Sequence, residues 1–153
     1  MYDYKKYFRI KNYIQFFSLE GRVIRCIRDF SSFPLQKRKR AVKFLSKNTI
    51  YLDVNTKIGT GLVLPHPHNI QFGMGAIVGD NVTIYQNVTI GQYHGKYPLI
   101  NNNVIIYPGA CIFGGIIVGE NSIIGAGAIV NKDVPANVVV AGNPAKVIRE
   151  IEI

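Results

Sequence analysis

The chain carries three histidines, His66, His68 and His94. An imidazole titrates near neutrality, so it can take a proton from a hydroxyl nucleophile at physiological pH and hand it on. His66 stands in Leu64-Pro65-His66, with His68 two residues on. His94 stands in residues 91–99, Gly-Gln-Tyr-His-Gly-Lys-Tyr-Pro-Leu, where Tyr93, Lys96 and Tyr97 offer ring faces, hydroxyls and a cation to a polar ligand. The cysteines, Cys26 and Cys111, lie far apart in different segments and read as two free thiols in a reducing cytoplasm.

Both histidine segments interrupt a repeat. From residue 52 to residue 134 an aliphatic or aromatic side chain recurs every sixth position: Leu52, Ile58, Leu64. The beat slips by two residues at His66 and resumes at Phe72, Val78, Ile84 and Ile90. It absorbs four more residues around His94 and resumes at Ile100, Ile106, Ile112, Val118, Ile124 and Val130. Four residues after a mark the side chain is usually small or β-branched, as at Thr56, Ala76, Val88, Ala110, Ser122 and Ala128. Glycine often follows the mark directly, at Gly59, Gly73, Gly79, Gly91, Gly119 and Gly125.

A period of six fits neither a helix nor a two-faced strand. It fits a chain that turns a corner every six residues, so that three short strands close one coil of a triangular prism. The large aliphatic points inward, the small residue packs beside it, and Gly, Asn and Asp take the corners, where a positive φ costs them little. Each coil bonds to the next and none is stable alone. The expected architecture is all-β, a parallel β-helix of about four coils at three hexads to a coil. The alternative is a sandwich of short strands. A slip in such a repeat re-aims a side chain, which makes His66 the first candidate for chemistry.

The motifs Ile58-Gly59-Thr60-Gly61-Leu62, Leu64-Pro65-His66, Val78-Gly79-Asp80-Asn81-Val82 and Ala141-Gly142-Asn143-Pro144-Ala145-Lys146 resemble the hexapeptide-repeat acyltransferases. The resemblance covers about residues 48–149 and is nearest the serine O-acetyltransferase-like branch, which includes O-acetyltransferases of bacterial surface polysaccharides. It implies a left-handed parallel β-helix, a homotrimer with sites between subunits, acetyl-CoA as co-substrate, and His66 as the general base. It further implies direct transfer in a ternary complex. A carboxylate orients the family's histidine. The matching position here is Tyr51, and Asp53 is the nearest acid. The family's loop at residues 91–99 reaches a neighbouring subunit and grips the acceptor with Arg-His-Pro, where this chain has Lys96, Tyr97 and Pro98. The acid that precedes the family's histidine is Pro65 here. Those departures favour a sugar over serine as acceptor, with His94, Tyr93, Lys96 and Tyr97 contacting it. Acetyl-CoA is expected along the later coils, its pantetheine arm on Gly125, Ala126 and Gly127 and its phosphates near Lys132 and Lys146, with Arg149 a weaker candidate. Serine as acceptor is the first alternative. Further alternatives are a metalloenzyme resembling the γ-carbonic anhydrases, which hold zinc with three histidines, and a non-catalytic basic scaffold. The histidine spacing differs from that zinc group, so no metal is expected.

Composition bounds the rest. A 48% apolar chain of 153 residues can bury a core, and no apolar run reaches the length of a membrane span. The charge is lopsided. Residues 1–45 hold twelve Lys or Arg and three acids, which accounts for the whole net charge of +9. The expected division is therefore a basic, aromatic helical extension over residues 1–47, the β-helix over 48–149, and a tail over 150–153. Within the extension, Val23, Ile24 and Ile27 against Arg22, Arg25 and Arg28 predict a short amphipathic helix. Ser32 is placed to cap a second, from Pro34 to Ser46. The extension is expected to cover the end of the first coil. A second reading is attachment to an anionic membrane surface. Nucleic acid is disfavoured, because no motif for it accompanies the charge. The start of the chain does not read as a secretory signal, so a cytoplasmic protein is expected, with contact at the inner face of the membrane as an option.

Overall fold

A computed structural model describes residues 19–152. Two helices, α1 (Leu19–Arg28) and α2 (Leu35–Ser46), precede a parallel β-solenoid. The first face of the solenoid stacks β1 (Ile50–Tyr51), β3 (Ile70–Phe72), β6 (Thr89–Gly91), β9 (Cys111–Phe113) and β12 (Ile129–Val130). The second stacks β2 (Lys57–Ile58), β4 (Ile77–Val78), β7 (Leu99–Ile100) and β10 (Ile117–Val118). The third stacks β5 (Thr83–Ile84), β8 (Ile105–Ile106), β11 (Ile123–Ile124), β13 (Val138–Ala141) and β14 (Lys146–Glu150). The chain visits the faces in rotation. Every pairing is parallel except the last, in which β14 runs antiparallel to β13.

The hexad reading holds residue by residue. Each large mark from Leu52 to Val130 is buried, and outside the two interruptions so is the residue four positions later. The first face stacks five strands, so the solenoid runs past the expected four coils. The beat understates it because Ile50 precedes the first mark, while Val138 and Val140, also buried, follow the last beyond Pro135. The last strand reaches residue 150, the first residue of the expected tail. Residues 146–150 turn back as β14 along the open side of β13.

The corner between the second and third faces shows how the turns are held. Asn81, Asn103, Asn121 and Asn137 all take a positive φ, between 55° and 59°. Asparagine tolerates that conformation better than other residues with a side chain. Their amides form a ladder, with Nδ2 of each donating to Oδ1 of the next at 3.4, 3.1 and 2.8 Å. Each corner is thereby locked to its neighbour by a side-chain bond as well as by the backbone.

The helices close the open end of the first coil. Val23, Ile27, Phe30, Ala41 and Leu45 are buried in one core with Ile50 and Ile58. Ser31 takes the place of a missing neighbouring strand: its Oγ donates to the carbonyl of Ile58 at 2.6 Å and accepts from the Ile58 N–H at 2.9 Å. Arg38 binds three more carbonyls, those of Phe33, Val54 and Ser31. Edge groups that would template another strand are thus satisfied. Ser32 does not cap α2. It belongs to a 3₁₀ turn, Phe30–Ser32, and its hydroxyl donates back to the carbonyl of Asp29 at 2.7 Å, which leaves Pro34 at the cap position without a side-chain bond. Residues 1–18 of the expected extension lie outside the described residues. No helix among the described residues is long and apolar enough to cross a membrane.

Replacing Ser31 by Ala leaves two backbone groups of β2 without their partner. The expected loss is about 1–3 kcal/mol of unfolding free energy, measured by urea denaturation, with the circular dichroism of the folded state unchanged.

Candidate active site

His66 owes its position to the slip in the repeat. Val63 and Thr83 bridge, and the Ile84 N–H donates to the Val63 carbonyl, so Leu64 lies over Ile84. Asn69 lies over Asn87, joined by an amide bond of 3.2 Å, and the Asn87 N–H donates to the His68 carbonyl. The upper coil therefore has two residues more than the lower between the same points, and His66 and Pro67 bulge over Tyr85 and Gln86. A tight turn closes the bulge. The His68 N–H donates to the His66 carbonyl at 2.8 Å, a γ-turn whose central residue, the buried Pro67, has its φ set by its ring. The imidazole of His66 is left exposed at the corner between the third and first faces.

That corner bears an aromatic column absent from the sequence reading. The Tyr85 ring lies 6.3 Å from that of His66, tilted by 51°, and stacks on Tyr107 at 5.3 Å. The signal was in the repeat. Tyr85 and Tyr107 directly follow the marks Ile84 and Ile106, the place where other hexads put Gly. Further along the corner come Gly125, Ala126 and Gly127. Gly125 is fixed by packing, since a Cβ there would stand 2.8 Å from Ala141 Cβ. Gly127 has a φ of +64° and a Cβ on it would meet nothing within 4 Å, so a bare ledge lies beside it. Lys146, paired with Ala141 at the start of β14, ends the same column.

The corner between the first and second faces holds the other candidates. Residues 92–97 form a two-residue hairpin: Tyr93 and Lys96 exchange backbone bonds of 3.0 and 3.1 Å, with His94 at φ 50° and Gly95 at φ 74°. Two positive φ values in succession belong to a type I′ turn, and histidine accepts one of them. The Tyr93 and His94 rings meet edge to face at 4.1 Å. Tyr97 lies on its own chain, its ring over Gly73 and Gly75, where an added Cβ would come within 3 Å of it. Lys96 packs likewise over Gly115. Tyr97 is therefore occupied with packing and presents less ring to a ligand than its sequence context promised.

Asp53 sits at this second corner too, a whole face from His66 in the same chain. Its Oδ1 accepts the Asn55 N–H at 2.9 Å in an Asx turn. The chain step from Asp53 to His66 spans two faces of a three-faced coil, so it cannot return to the same corner. Lys132 is also on this corner, apart from Gly125 and Gly127. The sequence-predicted residues thus divide in two. His66, Gly125, Ala126, Gly127 and Lys146 share one corner; Asp53, Tyr93, His94, Lys96, Tyr97 and Lys132 share another.

Neither thiol is suited to attack. Both cysteines are free. Burial pushes the Cys26 thiol above its ordinary range, partly offset by the Lys37 ammonium and reinforced by Asp29. Burial does the same to Cys111. The thiolate is the nucleophile, so a raised pKa means little of it at neutral pH.

The chain matches no family model. Among characterised proteins it is 36% identical to the serine acetyltransferase of Helicobacter pylori over 115 residues, 71% of this chain and 67% of that protein. The chain belongs to the serine acetyltransferase family. It is 46% identical over 96 residues to the mitochondrial serine acetyltransferase 3 of Arabidopsis thaliana, which covers 60% of this chain. It spans only 25% of that plant protein and 39% of the Synechococcus elongatus serine acetyltransferase. Among solved structures, the Neisseria gonorrhoeae serine acetyltransferase in complex with serine superposes with a TM-score of 0.72 at 33% identity, covering 81% of this chain and 54% of that one. The Brucella abortus enzyme in complex with coenzyme A superposes with a TM-score of 0.67 at 34% identity, covering 76% and 50%. These serine acetyltransferases share the solenoid on which the His66 corner is built.

With both thiols raised and half-buried, a thiol-specific disulfide reagent at pH 7 is expected to label the folded chain far more slowly than the urea-unfolded chain. The folded rate should climb with pH until well above the ordinary thiol range. Labelling at equal rates in the two states would show the cysteines to be open to solvent.

Proposed function

We propose that the chain transfers an acetyl group from acetyl-CoA to the hydroxyl of serine. The observation that carries this reading is the match to serine acetyltransferases, which runs through both interruptions of the repeat and covers two thirds of the Helicobacter pylori protein. It favours serine over the sugar expected from Pro65 and residues 96–98, and the packing of Tyr97 on Gly73 and Gly75 removes part of the case for a sugar. The Tyr93–His94 pair still supports a sugar hydroxyl as the second reading.

His66 is the general base. It takes the proton of the acceptor hydroxyl as that oxygen attacks the thioester carbonyl carbon, and the carbonyl oxygen becomes the oxyanion of the adduct. Collapse of the adduct breaks the C–S bond. The CoA thiolate leaves with the proton that His66 had taken, and the imidazole is neutral again. No acyl-enzyme is needed, in keeping with the raised thiols. The pantetheine arm is proposed to follow the ledge beside Gly127 and Ala126, with Lys146 near a phosphate.

The base and the hairpin occupy different corners of one chain, so the complete site is proposed to form between copies in a homotrimer. The third-to-first corner of one copy would meet the first-to-second corner of the next. His94, Lys96 and Lys132 would then reach the acceptor and cofactor from the neighbour.

Release of CoA thiol from acetyl-CoA, followed with L-serine and with a panel of bacterial oligosaccharides, tests the reading. The expected result is release with serine that falls by about a hundredfold or more in His66→Ala. Release with a glycan alone would move the assignment to the second reading, and release unchanged in His66→Ala would remove the base.

Mixed oligomers test the shared site. His66→Ala and Lys96→Ala chains, each impaired alone, are expected to recover part of the wild-type rate when refolded together, because some interfaces then combine two intact halves. No recovery in mixtures shown by mass to be heterologous would place the whole site in one chain.

A further inference from the structure

We infer that Gln86 is the positioning residue for His66, taking the place of the carboxylate that the chain lacks. The inference rests on the acetyl-transfer reading for its meaning, but its structural basis is independent. The two-residue bulge that presents His66 lies over Tyr85 and Gln86. Among the described residues, Gln86 Oε1 is the buried side-chain polar atom that has no hydrogen-bond partner. Such an atom has lost its water without gaining a donor, so a partner for it is favoured. By the coil register, with Leu64 over Ile84 and Asn69 over Asn87, residue 86 falls beneath the bulge that carries the exposed imidazole. The backbone of Gln86 is held from the other side, where its carbonyl accepts the Gly109 N–H at 3.1 Å.

The chemistry fits the gap. A base must keep one ring nitrogen unprotonated toward the acceptor, which requires the N–H to be fixed on the other. An amide oxygen can only accept, so a hydrogen bond from the ring N–H to Gln86 Oε1 selects that tautomer. Asp53 lies a face away and Tyr51 stands at the family's carboxylate position, so neither supplies the acceptor within the chain. The bond is not made while the ring is exposed. It forms when the corner is covered and the ring turns inward, with the Tyr85 ring as its flank. A neutral amide differs from a carboxylate in one measurable respect. It fixes the tautomer without stabilising the imidazolium by charge.

Two substitutions test this, each with its melting temperature measured to establish folding. Gln86→Met keeps the volume and removes the acceptor. It should lower kcat about tenfold or more while the KM for acetyl-CoA is unchanged. Gln86→Glu restores an acceptor and adds a negative charge, which favours the protonated ring. It should retain most of kcat and move the acid limb of kcat/KM to higher pH, because activity requires the neutral ring. A Gln86→Met enzyme with wild-type kcat, or an unmoved pH profile in Gln86→Glu, would overturn the assignment. Nitrogen-15 spectra of the imidazoles provide a readout that does not depend on turnover. Wild-type His66 is expected to hold one neutral tautomer and Gln86→Met to exchange between two. Identical tautomer populations would sink the role of Gln86 even in an active enzyme. A wild type without transferase activity but with a fixed tautomer would instead sink the function and leave the contact standing.

Discussion

The register of one coil on the next is the constraint from which the rest follows. Each face is a short parallel ladder, and every ladder bond fixes which residue of the upper coil stands over which of the lower. Ile84, Ile106, Ile124 and Val140 stand in one such column. The asparagine ladder adds side-chain bonds at the turns, so that a corner cannot rotate without breaking its links above and below. A stack of this kind has little freedom to place a functional group by moving an element. It places one by changing the number of residues between two fixed points.

Both interruptions work in that way, by different local means. Two added residues are too few for a hairpin, and they close as a γ-turn in which Pro67 supplies the fixed φ. Four added residues suffice for a two-residue hairpin, and His94 and Gly95 supply its two positive φ values. The first presents an imidazole at the corner, exposed. The second carries aromatic and cationic side chains outward while Lys96 and Tyr97 pin its base to Gly115, Gly73 and Gly75. The glycines after the marks therefore serve more than corner geometry. Some are small because a neighbouring coil lies on them, and some because a loop does.

Much of this was legible in the sequence, because hexad periodicity and burial are the same fact seen twice. The period alone puts Leu52, Phe72, Ile90, Ile112 and Val130 inside the prism, and they are buried. What the period does not carry is the identity of the corner. Asp53 looked near His66 in the chain and is on another corner, since the coil has three. Tyr85 looked remote and is beside it, since it lies one coil on. The fold of the last strand was hidden too, because the exposed β14 pairs antiparallel and its residues keep no inward beat. Gln86 left no trace at all in the pattern. Its significance is the missing partner of one buried oxygen, and that appears only when the neighbouring coil is in place.

A prism with flat faces also explains why the candidate residues divide as they do. The clefts on the single chain that involve Arg38 and Lys57, or Cys26 and Lys37, abut the helices and lie away from His66. A convex corner cannot exclude water or surround a substrate, yet the proposed transfer from a thioester to a hydroxyl requires that water be kept from the reacting carbon. On the proposed reading, the solenoid makes a concave, dry site by laying one corner against another. A rigid stack presents the same corner at the same height in every copy, so a symmetric assembly repeats the match without further adjustment. On that view the basic helices over the first coil have a second consequence beyond closing an edge. By satisfying Ile58 through Ser31 and the neighbouring carbonyls through Arg38, they block the end-to-end strand pairing that would compete with the proposed side-by-side association through the corners.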